Sequence, residues 1–274
     1  MRIAFKLFLF LILTILTQIG GVVLLLSFLL HTTIDKRLSS IAGRRMVKSV
    51  CFTFLYFIFT FLLVPPAAKL FGRVRLPMTG HRHLKPVNML TCLLNRNYVR
   101  PQMRDIVYQV ADKMHQHDSA FVLCYLDANF PFVNRFPLIP HLSHNDGRKL
   151  DLAFVYRNST DGTLTNSSPS FIGYGISAEP TAGELNTANF CTNCGYWQYG
   201  LLNKLVSQAT SRQYVFDGKL TADIVKLFAN DPHIGKIFIE PHLKSRLGLM
   251  QYDKIRFQGC RSVRHDDHIH VQLK

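Results

Sequence analysis

The chain ends in Arg264-His265-Asp266-Asp267-His268-Ile269-His270-Val271-Gln272-Leu273-Lys274, and this stretch decides how the rest is read. Three imidazoles and two carboxylates fall within six positions, and apolar and polar residues then alternate. That alternation predicts a strand over His268 to Leu273, because successive strand side chains point to opposite faces. His268 and His270 then share one face, while Ile269, Val271 and Leu273 pack on the other. Two imidazoles fixed on one face of a rigid strand are half of a zinc site.

The other half is expected from His141-Leu-Ser-His144-Asn-Asp-Gly147-Arg-Lys-Leu-Asp151, which leads into the apolar run Leu152 to Tyr156. Gly147 permits a reversal of the chain, bringing His144 and Asp151 to one metal. With His270 they make a three-ligand set of two nitrogens and one carboxylate. Three protein ligands leave a fourth position for water, the mark of a catalytic rather than a structural zinc.

These two motifs together resemble the LAS-type zinc peptidases: the lysostaphin-like enzymes, the D-alanyl-D-alanine metallopeptidases and their relatives. Within that group they are most similar to the penicillin-insensitive murein endopeptidases. The matching positions are His141, His144, Gly147, Asp151, His265, His268 and His270, and Lys236 to Lys244 looks like that family's strand-to-helix segment. The resemblance covers, in pieces, the region from about Pro101 to the C-terminus. It implies zinc ligands His144, Asp151 and His270, with His268 as the catalytic imidazole and His141 and His265 lining the site. It also implies an α+β domain and hydrolysis of peptide cross-links in peptidoglycan. The chain departs from the carboxypeptidase branch, lacking its Glu-x-x-Trp-His context. Asp266, Asp267 and Glu240 are the acidic residues left as candidates for the general base or for orienting His265 or His268.

Single histidines are usually surface or core residues, and His81, His83, His115 and His117 are read that way. The weight falls on two separately spaced motifs matching together. Two other functions stay open: a D,D-carboxypeptidase or dipeptidase on stem peptides, and a non-catalytic, zinc-dependent binding module of the cell envelope.

The N-terminal third is membrane-like. Leu7 to Leu30 is almost uninterrupted Leu, Ile, Phe and Val, longer than the roughly 20 residues that cross a hydrocarbon core. Val50 to Val64 is a second apolar run, extended through its flanks by Met46 to Val50 and Pro65 to Leu70. Two transmembrane helices are expected rather than a cleaved signal peptide, whose apolar region is shorter and ends at a small-residue site. The loop from His31 to Ser49 carries Lys36, Arg37, Arg44, Arg45 and Lys48 against Asp35 alone, which predicts a cytoplasmic loop. Residues 1–72 are thus a membrane anchor and 73–274 an extracytoplasmic zinc peptidase domain, placed at a bacterial inner membrane on the periplasmic side.

The formal charge is +15, of which +8 belongs to the residues after Gly72. A basic domain suits an anionic polymer such as peptidoglycan. No nucleic-acid-binding motif is present, and no nucleic acid partner is expected. The six cysteines form no zinc-ribbon pattern. Outside the cytoplasm, Cys191 with Cys194, either of these with Cys260, and Cys92 with Cys124 are all open as disulfides.

Elsewhere, Pro101 to His115 has helical spacing, and Gly195 to Ser207 and Thr221 to Asn230 are also read as helices. Ala120–Leu126, Asp151–Tyr156, Ile237–Ile239, Ile255–Phe257 and the terminal run are expected strands. Thr163 to Ala188 is a long polar insertion that walls the cleft, with Tyr196, Trp197 and Tyr199 as further wall candidates. The architecture expected is a small antiparallel sheet with helices on one side.

Overall fold

The computed structural model describes residues 2–274, without the Arg2 side chain. Its core is one six-stranded sheet in the order Ile255–Arg256, Ile234–Phe238, His268–Leu273, Lys149–Ala153, Leu123–Tyr125, Leu84–Pro86. The four central strands pair antiparallel, as expected. Both edge pairs are parallel, so the sheet is mixed rather than purely antiparallel. The parallel edges arise because each edge strand is reached through a helical connection, Pro241–Arg246 on one side and Pro101–His117 on the other.

The terminal strand spans His268–Leu273 as its alternation predicts. Ile269, Val271 and Leu273 lie in the main core with Leu150, Leu152, Ile237 and Phe228. The Pro101–His117 helix opens on a proline, whose missing N–H costs nothing at a first turn. It buries Met103, Ile106, Val107, Val110 and Met114 against that core. Asp217 caps the Gly218–Asn230 helix by accepting from Leu220 N, and Ile224, Val225 and Phe228 complete the layer. The expected long strand from Asp151 to Tyr156 is instead two, Lys149–Ala153 and Tyr156–Asn158. The second leaves the main sheet to pair with Leu164–Thr165 and Tyr214–Phe216. Gly195 to Ser207 is likewise not one helix but a 3-10 turn, Trp197–Gly200, followed by the short helix Leu201–Leu205.

The first apolar run is not a single transmembrane helix. It divides into helices Arg2–Thr17 and Gly20–Arg37 at Gln18, whose φ is 65°. Thr14 and Thr17 turn their hydroxyls back onto Phe10 O and Leu13 O, and Thr17 accepts from Gly20 N. Gly20 and Gly21 then let the second helix press against the first. A Cβ on Gly21 would stand 2.7 Å from the Phe10 ring. The pair is an antiparallel hairpin, with Lys6 Nζ 4.8 Å from the centre of the Phe28 ring near its open end.

The second run belongs to a longer helix, Ile41–Leu70, of 30 residues and mean hydropathy 2.1. It is the one helix among the described residues long and apolar enough to cross a membrane. Pro65 and Pro66 cannot donate to carbonyls one turn back, and the helix widens into a π turn at Phe59–Leu63 just before them.

The N-terminal helices touch the rest of the chain directly. Gln18, at the hairpin tip, accepts from Phe132 N (2.8 Å), and Tyr56 donates to Leu93 O (2.6 Å). Val64 and Ala68 pack with Ile19, Val23 and the domain's Tyr98. The tip therefore lies against Phe132, and the Lys6 end of the hairpin points away from it. Under the two-span reading the N-terminus and the domain would share a side. The hairpin puts Lys6 at the same end as the basic loop after Arg37.

Candidate metal centre

Cross-strand register builds the centre. His270 stands directly opposite Asp151, and His268 opposite Ala153, so the carboxylate and the last histidine face each other across one rung. His144 arrives from a loop closed by Gly147, whose φ of 82° is open to glycine. Gly147 N donates to Asn129 Oδ1, and Arg100 N donates to Gly147 O (2.7 Å), which locks the reversal. Asp151, His144 and His270 are all buried.

The three donor atoms form a tight triangle. His270 Nδ1 is 2.8 Å from Asp151 Oδ1 and 3.1 Å from His144 Nε2, and His144 Nε2 is 3.2 Å from the same Oδ1. Four-coordinate zinc with bonds of roughly 2.0–2.2 Å separates its donors by about 3.3 Å. The fit is close. His144 Nδ1 donates to Ala128 O (2.6 Å), leaving the Nε2 lone pair free for a ligand bond. Two imidazole nitrogens and a carboxylate oxygen converge there, and these three residues could hold a metal ion.

A second group, His141, Asp151 and His268, also converges. It is looser: His268 Nε2 lies 3.8 Å from Asp151 Oδ2. That oxygen is already engaged by the Tyr174 hydroxyl at 2.9 Å. His141 Nδ1 sits 3.2 Å from Asp151 Oδ2 and 3.3 Å from Asp127 Oδ2, without hydrogen-bond alignment to either. The first triangle is the better metal cradle.

Electrostatics separate the imidazoles. Burial pushes His270 down to about 4, against the pull of Asp151, so it stays neutral and available as a ligand. Burial and the neighbouring His268 and His270 hold His265 well below the ordinary histidine value. For His268 burial is outweighed by Asp151 and Asp267, and it rises to about 9. Burial would raise Asp151, but the surrounding histidines hold it well below the usual carboxylate range. Asp267 Oδ1 accepts from His268 Nδ1 while its Oδ2 accepts from Gly175 N, which leaves His268 Nε2 turned into the site without a partner.

A consequence for the metal-free protein follows from His268. Its folded value lies above the unfolded value of about 6.5, so its stabilisation is complete below pH 6.5 and fades as pH rises through about 9. The whole effect is on the order of 3 kcal/mol. In chelator-treated protein, wild type is expected to lose stability relative to His268→Gln between pH 6.5 and 9. Denaturation at several pH values checks this, and parallel curves for the two proteins would refute it.

The resemblance implies that His141, His144, Asp151, His265, His268 and His270 share one site, and all six line one cleft of about 520 Å³. The acidic candidates divide. Asp267 orients His268, whereas Asp266 pairs with Arg264, and burial lifts it to about 7. Glu240 is no base for this cleft. It accepts from the Thr187 and Tyr199 hydroxyls and from His265 N, tying the wall to the histidine loop from behind. Gln198, Leu201 and Leu202 form the wall; Tyr199 lies behind it and Trp197 is exposed.

Two participants were not visible in the sequence. Tyr174 donates to Asp151 Oδ2 and accepts from Asp127 N, and Asp127 is paired with Arg96 (2.7 Å). Both lie in irregular segments with no periodicity to mark them. Tyr174→Phe is expected to weaken metal binding by roughly 10–100-fold with the fold retained, read by competition with a chelator. Unchanged affinity would mean that the hydroxyl does not orient Asp151.

Among the cysteines, Cys191 and Cys260 form a disulfide, joining the Thr187–Asn193 helix to the segment before the terminal strand. Cys92 and Cys124 are buried and free, and Cys194 is exposed and free, so the other open pairings are not formed.

No protein-family model matches the chain, and no curated protein matches it.

Proposed function

We propose that the chain is a membrane-anchored zinc peptidase that hydrolyses peptide cross-links in peptidoglycan. The observation carrying this reading is the His144–Asp151–His270 triangle, set in an accessible cleft beside imidazoles that it does not use. A purely structural zinc closes its fourth position with another protein ligand, whereas three ligands facing a cleft suit a reacting water. Zinc held there would lower the pKa of water to roughly 7 and polarise the scissile carbonyl.

The chain's own groups supply the rest. Asp151, braced by Tyr174, and His144, braced by Ala128 O, fix where the metal sits. His268 keeps one proton on Nδ1 against Asp267 and exchanges the other at Nε2, which faces the cleft. In its protonated form it offsets the negative charge that develops on the scissile carbonyl oxygen and then protonates the leaving amine. The proton that His268 donates is the one its neutral form takes from the attacking water at Nε2, and His265 lines the site beside it. His141, between Asp127 and Asp151, lines the floor.

The Cys191–Cys260 disulfide favours an oxidising compartment, and Lys6 with the loop cations at the far end of the hairpin favours a cytoplasmic side there. Both support an extracytoplasmic domain at a bacterial inner membrane.

The test uses the full chain in detergent, loaded with zinc and incubated with cross-linked peptidoglycan. Mass analysis is expected to show dimeric muropeptides lost and monomers gained, with chelation abolishing the change. Release of terminal D-alanine alone would move the assignment to a carboxypeptidase. Stoichiometric zinc without cleavage would favour a binding module.

A further inference from the structure

We infer that Arg261 is the substrate-recognition residue of the cleft and binds a peptide carboxylate close to the scissile bond. This rests on the peptidase reading and adds the chemical class of the substrate's flanking group.

Arg261 is the one Lys or Arg lining the metal cleft. Neighbouring arginines are committed elsewhere: Arg96 to Asp127, Arg264 to Asp266 and Glu179, and Arg246 to Glu184. Arg261 is exposed and forms no ion pair among the described residues. Apart from the histidines, the other polar wall groups, Ser143, Gln198, Gln258 and Ser262, are neutral, and Asp151 is the cleft's one carboxylate. With a divalent ion on Asp151 the cleft is net positive, so it favours an anionic peptide.

The backbone that carries Arg261 is held on both sides. Cys260 is bonded to the buried Cys191, and its carbonyl accepts from Gln198 Nε2. The turn closes through Ser262 N and Oγ, both donating to Gly259 O. Gly259, with φ of 95°, makes that turn possible. Holding the backbone this way lowers the entropic cost of forming a two-pronged guanidinium–carboxylate contact. A cavity of about 520 Å³ lets one bound peptide reach both the metal triangle and the guanidinium.

The experiment measures binding of a monomeric stem-tetrapeptide muropeptide, which contains no cross-link to cleave, to the zinc-loaded full chain in detergent. The same muropeptide with its carboxylates converted to amides is the comparison. Wild type is expected to bind the acid about 10–100-fold more tightly than the amide. Arg261→Gln should abolish that preference, while Arg261→Lys, which keeps the charge but loses the fork, should keep part of it. Equal preference in wild type and Arg261→Gln overturns the inference. Because binding is read without turnover, a chain that binds with this preference yet cleaves no peptidoglycan would refute the peptidase reading alone.

Discussion

Replacing His270 by alanine is expected to abolish metal binding at the proposed centre. Zinc affinity is expected to fall by more than the roughly 10–100-fold typical of losing an outer partner, and cleavage of cross-linked peptidoglycan by ~10³-fold or more. The loss should be this large because only three protein atoms meet in the triangle, and His270 Nδ1 contributes its two shortest edges. The neighbouring group His141, Asp151 and His268 is a poorer replacement, because His268 Nε2 lies 3.8 Å from Asp151 Oδ2 and Tyr174 already donates to that oxygen. Folding should survive, since Ile269, Val271 and Leu273 carry the core face of the strand. Metal content by elemental analysis and far-ultraviolet dichroism check the two halves together. Stoichiometric zinc in a folded His270→Ala protein would overturn the ligand assignment.

Asp267→Asn should leave zinc in place and still reduce kcat by ~10²–10⁴-fold. The carboxylate accepts from both His268 Nδ1 and Gly175 N. An amide has only one accepting oxygen. If that oxygen keeps Gly175 N–H, the NH2 group faces His268 Nδ1 and forces the imidazole proton onto Nε2, the atom that should exchange it. The variant therefore separates proton handling from metal holding, which His270→Ala removes together. A kcat within a few-fold of wild type would show that His268 does not carry the proton.

What the sequence disclosed follows from how local each signal is. The terminal strand was legible because its alternation is complete within six residues, and the His141–Asp151 segment because glycine marks its reversal. Asp127 and Tyr174 were hidden, since they meet Asp151 only after two irregular segments fold over the sheet. The six-strand order was equally hidden, because it depends on pairings between distant segments. In the N-terminal run, apolar composition masked the break at Gln18. The hydroxyls of Thr14 and Thr17 and the missing side chains of Gly20 and Gly21 shape that turn while barely lowering hydropathy. Glu240 was visible as an acid, but its hydroxyl donors come from a wall far along the chain.

The rung that sets His270 against Asp151 joins residues 119 positions apart. A slip of one residue would set Val271 there and turn both imidazoles into the apolar layer. Only the correctly paired strands own the triangle, so an ion held there would act as a proofreader of its own binding site. At a hundred-fold excess over its dissociation constant it favours that pairing by about 2.7 kcal/mol over every misaligned one. Metal supply during maturation would thereby set the yield of the correctly paired strands.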